Sequence, residues 1–197
     1  MSMNLSQFKT AIDGKMRPNR YSVSGKIGNH GDVNGILVKA ASYPASQIGI
    51  IALPYRGRVA KIPGDRVYPE WTFSIYDSGA GGGDEGAGDL RKAFENWNKD
   101  LNDHVTNTTT ITNFSDPATF TPWTVTLLDT DGTAVRTIKM HNCWPVEVGA
   151  IDLTYDAADT LTEYTVTLAF DYLEVDASAE SQGGTDSGSG GEASTPS

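Results

Sequence analysis

The chain has 197 residues, a length that fits one domain with appendages. Its 15 Lys and Arg residues against 25 Asp and Glu give a net charge of −10, which argues against a conventional nucleic-acid-binding protein. The single cysteine, Cys143, excludes an internal disulfide framework and a thiolate zinc site. No apolar run approaches the length of a membrane span, so we expect no membrane partner.

The first part of the chain predicts an arm followed by strands. Leu5, Phe8 and Ile12 are spaced as on one face of a short amphipathic helix, so residues 1–20 are predicted to form an N-terminal arm. Tyr21–Ile27 alternates as a strand does, and residues 36–41 predict a second strand after a turn-rich segment.

The next segment predicts a projecting turn between two short strands. Residues 48–53 and 59–62 have β character, and the five residues between them are Pro54, Tyr55, Arg56, Gly57 and Arg58. Two arginines and a tyrosine are poorly suited to a core, so we expect them to be exposed. Residues 63–66 predict another turn because Pro and Gly are adjacent there.

The middle of the chain predicts one strand, one helix and one hairpin. Residues 71–76 form a strand with apolar residues at every second position. Residues 90–101 have apolar side chains at helical spacing and charged ones opposite them. Residues 123–128 and 134–140 flank Asp129–Thr133, whose Asp-Gly pair is typical of a hairpin turn. Residues 106–122 are polar and are expected to be irregular.

The last part of the body predicts the organising hairpin of the domain. In residues 162–173 large apolar side chains occupy alternate positions, which indicates one long strand with an apolar face. Residues 150–155 are predicted to be its hairpin partner. The main domain is thus expected to cover 21–175 and to be mainly β. Residues 176–197 contain no large apolar side chain and are expected to be a disordered acidic tail.

No pattern predicts chemistry. Gly81–Gly86 matches a dinucleotide-binding spacing, but Asp84 and Glu85 would lie where the phosphates bind. The segment Asp129-x-Asp131-Gly132 lacks the glutamate that ends a calcium loop. His141 and Cys143 could form a nucleophile pair, yet a buried structural cysteine is the more frequent case. We therefore predict no catalytic, cofactor or metal site.

The four tryptophans leave one alternative open. Trp71, Trp97, Trp123 and Trp144 could form a sugar-binding platform in a carbohydrate-binding β-sandwich module. Each lies within or beside an apolar pattern, which favours burial in a core or an interface.

Several short motifs follow one another along the body: Arg17-Pro18-Asn19, Ala41-Ser42-Tyr43-Pro44-Ala45, Ile62-Pro63-Gly64-Asp65-Arg66, Glu70-Trp71-Thr72-Phe73, Phe94-Glu95-Asn96-Trp97, Trp144-Pro145-Val146 and the closing strand at 165–172. Together they resemble the tail tube proteins of contractile-tailed bacteriophages. The glycine-rich insertion at 79–88 and the acidic tail depart from the shorter family members.

The resemblance implies a two-sheet β-sandwich or barrel-like fold with one flanking α-helix. It also implies a structural virion protein, without enzymatic activity or cofactor, whose hexameric rings stack into a tube inside a contractile sheath. The implied partners are further copies of the chain, the tail sheath protein, the tape measure protein, and baseplate and tail terminator proteins. DNA would be transient cargo, and assembly would take place in the host cytoplasm. A tube ring of a type VI secretion system or a bacteriocin is the alternative within this fold.

Two sets of candidate site residues follow. The projecting turn at 54–58 is predicted to contact the next ring, because exposed arginines can bridge carboxylates there. The polar positions of the closing strand are predicted to face the lumen of the tube, because one face of an alternating strand must border water. These lumen-facing candidates are Glu163, Thr165, Thr167 and Asp171.

Overall fold

A computed structural model describes residues 4–12, 17–33, 35–77, 89–156 and 160–176, and every structural statement below concerns these residues. They form two α-helices, ten strands and a short 3₁₀ turn at Gly35–Leu37. The elements are α1 (Leu5–Ile12), β1 (Tyr21–Lys26), β2 (Asp32–Val33), β3 (Val38–Ala41), β4 (Gln47–Tyr55), β5 (Arg58–Val67), β6 (Trp71–Tyr76), α2 (Leu90–Leu101), β7 (Thr121–Leu128), β8 (Ala134–Val148), β9 (Glu163–Ala169) and β10 (Tyr172–Asp176).

The strands form one antiparallel eight-stranded sheet that turns a corner, and a separate two-stranded hairpin. The order in the large sheet is β2-β1-β7-β8-β9-β6-β3, with β10 also paired to β8. The first part of β8 pairs with β7 and β10, and the part from Trp144 onward pairs with β9. The 15-residue strand β8 therefore belongs to both layers, and the sequence-based prediction of a mainly β, two-layer fold is confirmed.

The corner lies at Asn142 in the middle of β8. Its backbone has a φ of +56°, a left-handed conformation that asparagine tolerates better than most residues. Its side-chain amide donates to a carboxylate oxygen of Asp171 over 2.7 Å, and the Asp171 N–H donates to the carbonyl of His141 over 3.1 Å. These two bonds join the bend in β8 to the break between β9 and β10.

The core is built around a cluster of aromatic rings. Phe73 lies 4.6 Å from Trp71 and 5.2 Å from Trp123 between ring centroids, and Phe94 of α2 lies 6.2 Å from Trp123. Helix α2 begins at an Asp89 cap, whose carboxylate accepts from the Lys92 N–H over 3.0 Å. Leu90, Ala93, Phe94 and Trp97 of this helix are buried and Leu101 is half-buried, so the apolar face that the sequence predicted is confirmed.

Each buried indole N–H in the cluster reaches a backbone carbonyl. Trp71 donates to Ser42 over 2.6 Å, Trp97 to Thr119 over 2.8 Å and Trp123 to Lys26 over 3.1 Å. A buried aromatic donor that is satisfied in this way adds packing area without an unpaired polar group.

The predicted hairpin of residues 150–155 with 162–173 is wrong in two respects. Strand β9 pairs with β6 on one edge and, from Val166 onward, with Trp144–Val148 of β8 on the other, so its hairpin partner is the end of β8, and residues 150–155 are not a strand. The predicted long strand is also broken at Phe170–Asp171 by the corner. Its alternation survives in β9, where Tyr164, Val166 and Leu168 are buried.

Two smaller predictions are also corrected. Residues 63–66, expected to be a turn, lie inside β5, where Pro63 faces Ile50 across a register shift. A bulge accommodates the proline and glycine because it relaxes the regular pairing of the two strands. The predicted strand at 36–41 begins only at Val38, after the 3₁₀ turn.

Replacing Gly25 by alanine should destabilise the fold. Gly25 faces Trp123 across the β1–β7 pair, and a Cβ added there would lie 2.2 Å from Cδ2 of the buried indole ring. The ring cannot move away without disturbing the aromatic cluster, so we expect a loss of about 1–3 kcal/mol in the free energy of unfolding. Urea unfolding followed by tryptophan fluorescence measures this loss.

Ser24→Ala serves as the control, because Ser24 is the exposed neighbour of Gly25 on the same strand. It should change the free energy of unfolding by less than about 0.5 kcal/mol. Equal stability of Gly25→Ala and the native chain would contradict the packing described here.

Candidate assembly surfaces

The hairpin of β4 and β5 is almost entirely exposed. Its strands of nine and ten residues pair only with each other, and every residue is exposed except the half-buried Gly64. It replaces the two shorter strands that the sequence predicted. A two-stranded hairpin alone is at best marginally stable in water, so this one is suited to ordering against a partner surface.

The exposed side chains of the hairpin are largely apolar. Ile50 is 68% exposed and Val59 is 60% exposed, and Ile48, Ile51, Leu53, Ile62 and Val67 are exposed as well. A contiguous apolar surface of this kind on a soluble subunit typically marks a site of contact with another protein.

The tip of the hairpin carries the residues that the sequence singled out, Pro54, Tyr55, Arg56, Gly57 and Arg58. Tyr55 pairs with Arg58, and the two residues between them have φ of +45° and +80°. Two successive positive φ values are typical of a type I′ turn, which suits glycine at the second position. The projecting turn is thus confirmed, and its contact with another ring stays a prediction.

The arginines at the tip are available for a partner. The guanidinium of Arg56 lies 5.5 Å from the centroid of the Tyr55 ring, a cation–π distance. Neither Arg56 nor Arg58 has a carboxylate partner among the described residues.

Three of the four lumen-facing candidates share one surface. Glu163, Thr165 and Thr167 lie on the face of β9 opposite the buried residues, away from the aromatic core to which α2 contributes. The Thr167 hydroxyl lies 3.1 Å from that of Thr72 on β6, and Glu163 forms an ion pair with Lys39 of β3. This face is therefore polar, and Lys39 beside it is ion-paired.

Asp171, the fourth candidate, occupies a different place. It lies outside β9, in the break before β10, and its carboxylate accepts from Asn142. The sequence placed it on the polar face because the strand was assumed to continue. Its visible role is to hold the corner of the sheet, and a lumenal position for it stays a prediction.

The candidates for chemistry do not form a catalytic arrangement in the described part of the chain. Cys143 is fully buried, and burial raises the pKa of its thiol to about 12, so a thiolate is disfavoured at neutral pH. His141 instead lies 3.0 Å from Glu174 and stacks on Tyr172 at 4.5 Å between ring centroids. These contacts attach β10 to β8.

The remaining motifs are also accounted for. The Asp131 carboxylate accepts from the Thr133 N–H, which lowers its pKa and closes the β7–β8 turn. The described residues contain no group of three or more His, Cys, Asp or Glu side chains that could hold a metal ion. Gly81–Gly86 lies outside the described residues. Trp71, Trp97 and Trp123 are buried, so they cannot form a sugar platform.

Neither described helix has both the length and the apolar composition that crossing a membrane requires.

Solved structures with the same fold come from contractile injection systems. A chain in the cryo-EM structure of the sheath/tube terminator of the extracellular injection system PVC matches with a TM-score of 0.60, at 15% identity over 84% of this chain and 99% of that one. A chain in the anti-feeding prophage baseplate matches with a TM-score of 0.58, at 11% identity over 82% and 95% of the two chains. The fold is thus one found in the tube and baseplate assemblies of these systems.

The sequence comparisons identify the family. Residues 5–175 match the family described as phage tail tube protein. The tail tube protein gp19 of Enterobacteria phage T4 is 26% identical over 160 residues, covering 80% of this chain and 90% of that protein. The tail tube protein of Serratia phage KSP90 is 23% identical over 138 residues, covering 68% and 71% of the two chains. The chain belongs to the phage tail tube protein family, and it is a tube-forming structural protein of the virion.

Sequence reasoning found the tip of the hairpin but missed its length. The strands read as short because residues 63–66 carry a turn signature, and because β4 has no clean alternation of apolar and polar residues. The missing alternation was itself a signal. A strand that has apolar side chains on both faces, and is exposed on both faces in the subunit, is suited to burial between subunits.

Replacing Arg56 and Arg58 by glutamate should leave the subunit folded and prevent rings from stacking into tubes. The two arginines make no ion pair within the described subunit, so folding should not need them. The double substitution changes the charge of the tip from +2 to −2, so a partner surface that attracts cations would repel it. Electron microscopy of the purified variant should show at least about tenfold fewer tubes than the native chain at low salt.

Lys92→Glu with Lys99→Glu is a control with the same change in charge on the outer face of α2. It should leave tube formation unchanged. Normal tubes from the arginine variant would remove the assembly role of the tip.

Proposed function

We propose that the chain forms hexameric rings that stack into the inner tube of a contractile tail and conduct DNA during ejection. The observation that carries this proposal is the β4–β5 hairpin, about 30 Å long at 3.3 Å per residue and exposed except at Gly64. Such an element is suited to reaching a neighbouring ring. Membership of the tail tube family supports the same conclusion.

The edges of the large sheet support closure into a ring. In the described part, β3 pairs only with β6 and β10 pairs only with β8, so both strands expose an unpaired edge. Unpaired edges invite pairing with another chain, and head-to-tail pairing around a closed ring would satisfy these two edges without a second type of subunit.

The composition suits a conduit for DNA. Adhesion of a protein to DNA grows with the number of phosphates that Lys and Arg neutralise. Only 15 basic residues stand against 25 acidic ones, and Lys39 on the candidate lumenal face is paired with Glu163. DNA would therefore pass with little attraction to the wall.

The further partners follow from the same proposal. The tube would enclose the tape measure protein, lie inside the sheath, and end at baseplate and terminator proteins, with assembly in the host cytoplasm. It would need no cofactor and would act without catalysis. A tube ring of a type VI secretion system or bacteriocin remains the second candidate, because contractile injection systems other than phages share this fold.

Negative-stain electron microscopy of the purified chain tests the proposal. Rings and stacked tubes of uniform diameter are the expected result. A chain that stays monomeric at high concentration under all salt conditions would contradict it.

Replacing Thr165 and Thr167 by lysine should slow DNA ejection without preventing tube assembly. Each ring would then add two cations per subunit to the proposed lumenal face, and these would attract passing phosphates. Ejection from assembled particles, followed by a DNA-binding dye, should be at least about threefold slower at low salt, with a smaller difference at high salt.

Thr109→Lys with Thr112→Lys adds the same charge in the irregular segment before β7. It should leave ejection unchanged. Native ejection rates from particles that carry both lysines at 165 and 167 would place the lumen on another face.

Ending the chain after Asp176 should change neither stability nor tube formation. Residues 177–197 have no large apolar side chain to contribute to a core, and β10 ends at Asp176, which pairs with Thr137. Thermal melting and electron microscopy should match those of the full chain. Ending the chain after Phe170 is the control, and it should destabilise the subunit because Leu173 of β10 packs against the core.

A further inference from the structure

The layer that carries the candidate lumenal face has a single basic residue in its strands. This layer consists of β3, β6, β9 and the part of β8 from Trp144 onward. Lys39 is the one lysine or arginine in these four strand segments. Because lysine neutralises phosphates, an unpaired ammonium on this face would hold back passing DNA.

A β-bulge determines where the Lys39 side chain points. Val38 pairs with Ile75 of β6. Ala40 already pairs with the adjacent Ser74, so Lys39 is an extra residue without a partner on β6. Val38 is buried, whereas Lys39 and Ala40 are both exposed, so the alternation of β3 is interrupted here. Bulges of this kind re-aim a side chain, and this one turns Lys39 out of the regular pattern of the strand.

The backbone of the bulge is held from the other layer. The Tyr21 hydroxyl donates to the carbonyl of Lys39 over 2.7 Å. Tyr21 belongs to β1, which pairs with β7 in the layer opposite to β3 and β6. Burial raises the pKa of Tyr21, so its hydroxyl stays protonated and remains a donor at neutral pH.

The side chain of Lys39 reaches an anion across β6. Its ammonium forms an ion pair with Glu163 and lies 5.8 Å from the centroid of the Tyr76 ring. Tyr76 and Glu163 are directly paired on β6 and β9. The hydrogen bond to Glu163 raises the pKa of Lys39, so the lysine keeps its charge. The two side chains of the ion pair are 44% and 45% exposed, so phosphates could reach the ammonium if the carboxylate were removed.

We propose that Glu163 masks Lys39 from passing DNA, and that the bulge and the Tyr21 hydroxyl hold the lysine against this carboxylate. The ammonium then donates to a fixed acceptor in place of phosphates, and the pair adds no net charge to the wall. This inference rests on the proposed tube. It gives Glu163 a function in that tube and makes Tyr21 a positioning residue.

Two substitutions that break the same ion pair distinguish masking from a structural role. Glu163→Gln leaves Lys39 without its carboxylate, whereas Lys39→Met removes the cation. A structural role predicts the same effect from both, but masking predicts slower DNA ejection from Glu163→Gln alone. Ejection from assembled particles, followed by a DNA-binding dye, should be about twofold slower for this variant at low salt and equal to native at high salt.

A double variant and a matched control complete this test. Lys39→Met with Glu163→Gln should eject DNA at the native rate, because no unpaired cation remains. Glu95 pairs with Arg91 over 2.9 Å on α2, so Glu95→Gln also removes one carboxylate and one ion pair, but away from the candidate lumenal face. It should leave ejection unchanged. Thermal melting of all these variants should match that of the native chain, since exposed ion pairs contribute little to stability.

Tyr21→Phe tests the positioning of the lysine. It removes the hydroxyl that holds the bulge, so Lys39 should contact Glu163 less constantly. Ejection at low salt should slow, but by less than in Glu163→Gln. Adding Lys39→Met should remove this delay, whereas a delay caused by a damaged fold would persist. A native rate for Tyr21→Phe would overturn the positioning role of Tyr21.

The possible results separate the inference from the proposed function. A native ejection rate for Glu163→Gln, or equal slowing by Glu163→Gln and Lys39→Met, would overturn masking. Slow ejection by Thr165→Lys with Thr167→Lys in the same experiment would leave the proposed conduit intact. A native chain that forms neither rings nor tubes would contradict the proposed function itself, and the inference with it.

Discussion

The two hydrogen bonds between Asp171 and the bend in β8 determine the architecture of this subunit. They place the left-handed Asn142 opposite the break between β9 and β10. Without that corner, β8 would continue in one plane and its two parts would not contribute to opposite layers. The polar pair thus decides where the aromatic cluster can close, since Trp123 belongs to one layer and Phe73 to the other.

Local sequence patterns were sufficient to predict single helices, strands and turns, because forming such an element does not depend on which strands pair with it. The spacing in α2 and the alternation in β6 each predict one apolar face, and the side chains on that face are buried in the structure. The Asp-Gly turn before β8 likewise carries its own geometry. Strand partners are a different matter, because β9 reads the same whether it pairs with residues 150–155 or with β6 and β8.

The candidate assembly residues likewise include some that local sequence patterns predict and others whose place depends on the overall fold. The exposed tip of the hairpin was predictable because two arginines beside a glycine exclude a core. The role of Asp171 was not, because alternation carried it onto the polar face of a strand that the corner interrupts.

The subunit therefore separates its stability from its assembly. The aromatic cluster folds the chain with its indole donors satisfied internally, and it needs nothing from a neighbour. The hairpin contributes no residue to that core, and its apolar side chains are exposed in the subunit, so only a partner surface can bury them. Because this exposed apolar surface lies outside the core, contacts made through it can change without altering the fold. This separation is consistent with a fold shared at 15% identity or less by tube and baseplate assemblies of different injection systems.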